Sequence, residues 1–319
     1  MGLTNKNAQD EAKRVFDFLW ENRGRKIIVG QHTQTMEQAE LAFIREVTGE
    51  LPALCGFELL AYSPNIRYEE SGEACLKEVY EAGHTLKKAW EWAKMGGLIT
   101  FTWHWFSPLY GRDKSFYTEN TDFNAELAVT PGTPEYYAFL SDMDYMAGLL
   151  RPFCDAHVPV LWRPFHENEG AWFWWGNCKK DVVRKLYGLM YDRYVNHFKL
   201  NNLIWVFNST NPECYPGDDV ADIISRDLYP EAHCHTDHAK ELGELAAITK
   251  AEKPYAIAEI GTIPDVEAVI GNRIPWSYYM TWSNEFGRTE QYTSKEELKK
   301  AYSFENAVTL SRLPKFYCV

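Results

Sequence analysis

No Cys-x-x-Cys pair occurs in these 319 residues, and the seven cysteines (Cys55, Cys75, Cys154, Cys178, Cys214, Cys234 and Cys318) are odd in number and scattered. That pattern excludes a disulfide framework and a zinc knuckle, and free thiols are expected. No apolar run is long enough to span a bilayer. Basic residues are also short: 33 Lys and Arg stand against 45 Asp and Glu, a formal net charge of -12. Nucleic acid and anionic membranes are therefore not expected as partners. The opening MGLTNKNAQDEAKR has no apolar signal-peptide core, and Lys6 stands where a myristoylation site needs Ser or Thr. The expectation is a cytoplasmic chain or one matured from an exported precursor.

Aromatic side chains are plentiful instead: 12 Trp, 19 Tyr and 17 Phe, together 15% of the chain. A large aromatic core accounts for this. So does a sugar cleft, where pyranose C–H groups stack on indole faces. The run HCHTDH, His233 to His238, invites a metal, but its spacing matches no standard ligand pattern. Neither a metal nor a cofactor is expected.

Strand-like apolar runs recur at 26–32, 52–57, 97–104, 158–165, 202–209, 221–229, 255–261 and 277–282. Several are apolar almost throughout, as buried parallel strands are. Helical spacing fills most of the gaps. Ala12, Val15, Phe16 and Leu19 share a face before the first run, as do Val182, Leu186, Leu189, Met190 and Tyr194 after the fourth. Thr133 and Pro134 open a helix over 134–156. This alternation predicts an α/β fold, a single (β/α)8 TIM barrel over 1–319. A doubly wound open sheet competes, but no Gly-rich phosphate loop follows the first strand. The segment 106–132 is irregular and long, which marks a functional loop after strand three, overhanging the C-terminal face of a barrel.

Barrel sites gather where strands end. The predicted ends deliver Glu58 (second), Trp103, His104 and Trp105 (third), His166 and Glu167 (fourth), Asp227 and Tyr229 (sixth), Glu259 (seventh) and Trp282 (eighth). If strand four stays extended, Arg163 and Glu167 share a face. Strands four and seven lie across the mouth from each other. Two carboxylates facing there among tryptophans are the apparatus of glycoside hydrolysis. The alternative is that Glu167 and Glu259 are ordinary buried carboxylates paired with Arg163 and Arg226.

At LWRPFHENEGAWFWWG, residues 161–176, the chain resembles glycoside hydrolase family 26, mostly β-mannanases. TWHWFSPLYG, NNLIWVFNST, YPGDDVADIISRDLYP and MTWSNEF are similar to later blocks of that family, in the same order, so the resemblance covers about residues 27 to 286. It implies Glu167 as acid/base and Glu259, in AIAEIG, as nucleophile of a retaining reaction. His104, Trp172 and Trp282 would line the subsites around the cleaved bond, with Trp175 beside Trp172 as a platform and His166 as a further binding residue. Trp103, Trp105 and Asp227 are further candidate binding residues. Arg163 and Tyr229 would hold Glu259 ionised. Two positions depart from the usual pattern: Asn168, expected to face a subsite, and Glu58, where Asp is common. The implied substrate is mannan, glucomannan or galactomannan, cut internally. Mixed-linkage β-glucan or β-1,3-xylan, exo-acting release of mannobiose, and a non-catalytic glycan-binding relative are the alternatives. Barrel-rim packing is the plain alternative for Trp172 and Trp175. The family resemblance also implies a monomer that acts outside the cell.

Overall fold

The computed structural model describes residues 2–319. Eight strands build the barrel: β1 Ile27–Thr33, β2 Leu54–Glu58, β3 Leu98–Thr102, β4 Val160–Arg163, β5 Leu203–Asn208, β6 Ile223–Leu228, β7 Tyr255–Ile260 and β8 Trp276–Thr281. Each pairs with the next in parallel, and β1 pairs with both β2 and β8, which closes the sheet. A two-residue strand β9, Ala307–Val308, adds to β1 outside the closed ring. Every residue of β1 through β5 is buried. That is why their sequences show no alternation: both faces are covered, the inner by the barrel core and the outer by helices.

The predicted helical faces form. Ala12, Val15, Phe16 and Leu19 are the buried residues of helix Asp10–Asn22. Helix Pro134–Asp155 begins with Thr133 Oγ1 accepting the Tyr136 N–H at 3.1 Å, with Pro134 in its first turn. The alternation breaks once. Between β5 and β6 there is only the short 3-10 turn Pro212–Cys214. The start of the chain is tied to the segments entering β5 and β6: the Thr4 N–H donates to Asp222 Oδ1 at 2.7 Å, and Asn5 Nδ2 donates to Asn201 Oδ1 at 3.0 Å. Among the described residues no helix is long and apolar enough to cross a membrane.

The third and fourth strands end two residues earlier than their sequences suggest. β3 stops at Thr102 and β4 at Arg163. After β4 the backbone leaves the extended region, with Phe165 and Glu167 both at φ 51. The loop 106–132 is ordered against the turn that follows. The Thr118 N–H donates to the Trp172 carbonyl at 2.8 Å, and the Trp174 N–H to the Phe116 carbonyl at 3.1 Å. The walls above β3 and β4 are therefore one hydrogen-bonded unit.

Candidate active site

Arg163, the last residue of β4, is fully buried in the barrel mouth. Its Nη1 donates to Asp227 Oδ2, on β6, at 3.0 Å. Its Nη2 donates to Thr102 Oγ1, ending β3, at 3.0 Å, and to Glu259 Oε1 on β7. The other oxygen of Glu259 accepts the Tyr229 hydroxyl at 2.7 Å. Burial, and with it the neighbouring Glu167, raises the Glu259 pKa, and Arg163 and Tyr229 offset only part of that. Both oxygens already accept hydrogen bonds, one from a guanidinium that stays charged, so the anion is the form this pocket fits.

Glu167 is held by neutral donors instead. It reaches the mouth from a turn rather than from an extended strand, which corrects the shared-face expectation. Its backbone N–H donates to Asn208 Oδ1 at 2.8 Å, and its Oε2 accepts the Trp172 indole N–H at 3.0 Å. Burial, then the charge of Asp227, raises its pKa to about 7. One oxygen each from Glu167, Asp227 and Glu259 lie within 4.8 Å of one another. That closeness matches the roughly 5–5.5 Å carboxyl separation of a double displacement, not the 6.5–9.5 Å that leaves room for an attacking water. Such a trio also has the spacing of a cation site, and Arg163, donating to two of its members, supplies positive charge there. Among the described residues this trio is the one grouping with ligand-like geometry, and the HCHTDH run is not part of it.

His104 and His166 stand beside the carboxylates. Glu58 accepts the His104 backbone N–H on Oε1 and lies against its Nδ1 through Oε2, both at 2.8 Å, which fixes the ring. Burial opposes charging His104, but Glu58 outweighs it and the pKa is raised. The pKa of His166 falls well below the ordinary value through burial and the nearby His104 and Arg163. The two Nε2 atoms are 3.2 Å apart, so one ring donates to the other. His104 also lines a cavity of about 190 Å³ with His32, Glu58, Phe116 and Trp282. Trp282, just beyond β8, stacks on His32 with ring centroids 4.2 Å apart.

Arg163, His166, Glu167, Asp227, Tyr229, Glu259, His104, Trp172 and Trp282 thus converge at the strand ends. Three predicted residues do not present a binding face. Trp103, Trp105 and Trp175 are each at most 2% exposed. Their indole N–H groups are spent internally, on Ser63 Oγ at 2.9 Å, Asp142 Oδ2 at 2.8 Å and the His166 carbonyl at 2.8 Å. Trp103 and Trp105 stack on each other at 4.0 Å, and Trp175 stacks on Phe173 at 4.6 Å. They pack the wall from behind. Trp172, by contrast, is 46% exposed. Asn168 does not face a subsite either: it is fully buried and donates to the Phe165 carbonyl at 2.8 Å. Arg226 pairs with Glu244 at 2.9 Å, away from both catalytic candidates. The sequence reading missed Thr102 and Asn208. Each is the polar residue that ends a buried strand, and that was the available signal.

A family model described as glycosyl hydrolase family 26 matches residues 4–312. A mannan endo-1,4-beta-mannosidase of Thermothelomyces thermophilus is 35% identical over 98% of this chain, and mannan endo-1,4-beta-mannosidase A of a Piromyces species is 32% identical over 98%. The chain spans only 63% and 51% of those two relatives' lengths. The crystal structure of the Podospora anserina GH26-CBM35 β-(1,4)-mannanase is 31% identical with a TM-score of 0.88, covering 98% of this chain and 69% of that one. A β-mannanase from a symbiotic protist of the termite Reticulitermes speratus, solved with a gluco-manno-oligosaccharide, is also 31% identical. Its TM-score is 0.85, and it covers 98% of this chain and 97% of that one.

Proposed function

The chain belongs to glycosyl hydrolase family 26, and we propose that it is a single catalytic unit hydrolysing β-1,4-mannan, glucomannan or galactomannan internally, with retention at the anomeric carbon. The observation that carries this is the placing of Glu167 and Glu259 oxygens within 4.8 Å, with Glu259 gripped by the Arg163 guanidinium and Glu167 by the neutral Trp172 indole. The names of the relatives support mannan as the polymer, and the glucomannan-derived ligand of one neighbour supports a mixed chain.

The chemistry follows from the two settings. Glu167, with its pKa raised to about 7, holds a proton at mildly acid pH and gives it to the departing glycosidic oxygen. A Glu259 oxygen forms a bond to the anomeric carbon as that oxygen leaves. Arg163 and Tyr229 hold the attacking carboxylate in line. Glu167, now ionised, then takes a proton from water, which attacks the same carbon and releases Glu259. Two inversions give net retention. The exposed Trp172 supplies a stacking face beside the proton donor, and His104 and Trp282 line the adjoining cavity. The same proposal takes the chain to be a monomer. A long glycan does not diffuse across a membrane, which favours an extracellular site of action.

The test is kinetic. Glu259→Ala is expected to lose nearly all turnover, and azide to restore it with a glycosyl azide of inverted configuration. Glu167→Ala is expected to keep activity on substrates with activated leaving groups far better than on mannan. Linear mannan digested by the wild type should shorten at random. Unchanged mannan turnover in either variant would remove the assignment. Early accumulation of one short product would replace internal cleavage with exo action.

A further inference from the structure

Asn208, ending β5, is 1% exposed, and its side-chain amide is engaged on both sides. Oδ1 accepts the Glu167 backbone N–H at 2.8 Å. Nδ2 donates to Asp227 Oδ1 at 2.8 Å and to Ser225 Oγ at 3.1 Å. The orientation is unambiguous. A backbone N–H only donates, so it must face the oxygen, and a carboxylate faces the NH2. The Ser225 hydroxyl hydrogen goes to the Phe207 carbonyl at 3.0 Å, leaving its lone pair for Asn208.

The residue held in this way is itself unfavourably placed. Glu167 sits at φ 51, where the Cβ of an L-residue crowds the backbone. Such a conformation persists when surrounding contacts over-determine it. Asn208 grips the peptide N–H of that residue, and with the same amide grips Asp227, which shares Arg163 with Glu259.

We propose that Asn208 is a positioning residue for the proton donor: its amide clamps the left-handed backbone of Glu167 to the Asp227–Arg163–Glu259 network, and so sets the reach of the Glu167 carboxyl toward the leaving oxygen. The proposal rests on Glu167 being the acid/base, as above.

The experiment compares the wild type, Asn208→Ala, Asn208→Asp and Glu167→Ala on mannan and on 2,4-dinitrophenyl β-mannobioside, whose leaving group needs no proton. Asn208→Ala is expected to lower kcat/KM on mannan by about 10²-fold, the scale of general acid catalysis, while the aryl substrate stays within about threefold. Asn208→Asp keeps an acceptor for the Glu167 N–H but turns a second carboxylate toward Asp227. Glu167 is also faced by Arg163 from β4, Glu259 from β7, His104 beyond β3, Tyr229 beyond β6 and Tyr117 of the long loop. These are identical in wild type and variant, so the difference between them isolates position 208. In contact, the introduced carboxyl and that of Asp227 share one proton, so Asn208→Asp keeps both contacts and is expected to retain far more mannan turnover than Asn208→Ala.

A purely structural role would lower both substrates alike. That result, or mannan turnover of Asn208→Ala within about twofold of wild type, overturns the proposal. If Asn208→Ala does not fold, the near-isosteric Asn208→Leu, which lacks both contacts, is read on the same two substrates and decides. Glu167→Ala separates the two levels. If it lacks the selective loss on mannan, the functional proposal fails and this one with it. If it has that loss and Asn208→Ala does not, only the role of Asn208 is lost.

Discussion

The Trp172 indole N–H donates to Glu167 Oε2 at 3.0 Å while its ring remains 46% exposed. On the proposed mechanism one side chain serves two tasks: its face is open to a sugar, and its edge tunes the proton donor. The hydrogen bond favours the ionised carboxylate and works against the burial that lifts Glu167 to about 7. Trp172→Phe keeps an aromatic face and removes the donor. The basic limb of kcat/KM is expected to move to higher pH, with KM for mannan little changed. Trp172→Ala should raise KM as well. A limb that stays in place in Trp172→Phe would contradict the coupling.

Tyr229→Phe strips Glu259 of the donor on Oε2. The anion loses support, so its proton is held to higher pH and the acid limb of the profile should move upward. Removing one preorganised donor from a reacting group costs about 10²-fold in kcat. A pH–rate series on an aryl mannobioside, whose first step needs no acid, checks the acid limb without interference from Glu167.

Asp142 gives a stability prediction outside the chemistry. It is 5% exposed, and burial raises its pKa to about 7 even though Trp105 Nε1 and Asn65 Nδ2 both donate to it. The ordinary value is 3.8. Between those values the folded chain holds a proton that the unfolded chain has released. Stability is therefore lost as pH rises through this window and is not regained above it. Asp142→Asn stays neutral throughout. Its Tm relative to wild type should rise between pH 4 and pH 7, by roughly 2 °C or more, with activity unchanged. Parallel melting curves across pH would refute this.

Trp175→Ala separates packing from binding. A buried indole removed from the wall should cost about 3–5 kcal/mol. For residual folded enzyme, KM on mannan should stay near wild type, whereas Trp172→Ala raises it. Denaturant unfolding and mannan kinetics on the two variants make the comparison. A raised KM with intact stability in Trp175→Ala would restore it as a platform.

The barrel was legible because its strands are buried on both faces and therefore apolar throughout, as IIVG at 27–30 and LITF at 98–101 illustrate. The two glutamates were legible because each follows such a run. What escaped was local direction. Trp103 and Trp105 sit next to His104 in sequence, yet β3 ends at Thr102 and both turn into the wall. Parity assumes an extended chain, and left-handed residues at Phe165 and Glu167 break it. Asn208 escaped because the one signal, a polar residue ending a buried strand, says nothing of its partners: Glu167 arrives from the turn after β4 and Asp227 from β6.

The ties from Thr118 to Trp172 and from Phe116 to Trp174 have a mechanical consequence. Widening the groove on that side would drag the proton donor with it, because wall and donor share one backbone lattice. On the proposed function, a glycan chain then meets the loop 106–132 and the turn carrying Trp172 as one hydrogen-bonded wall.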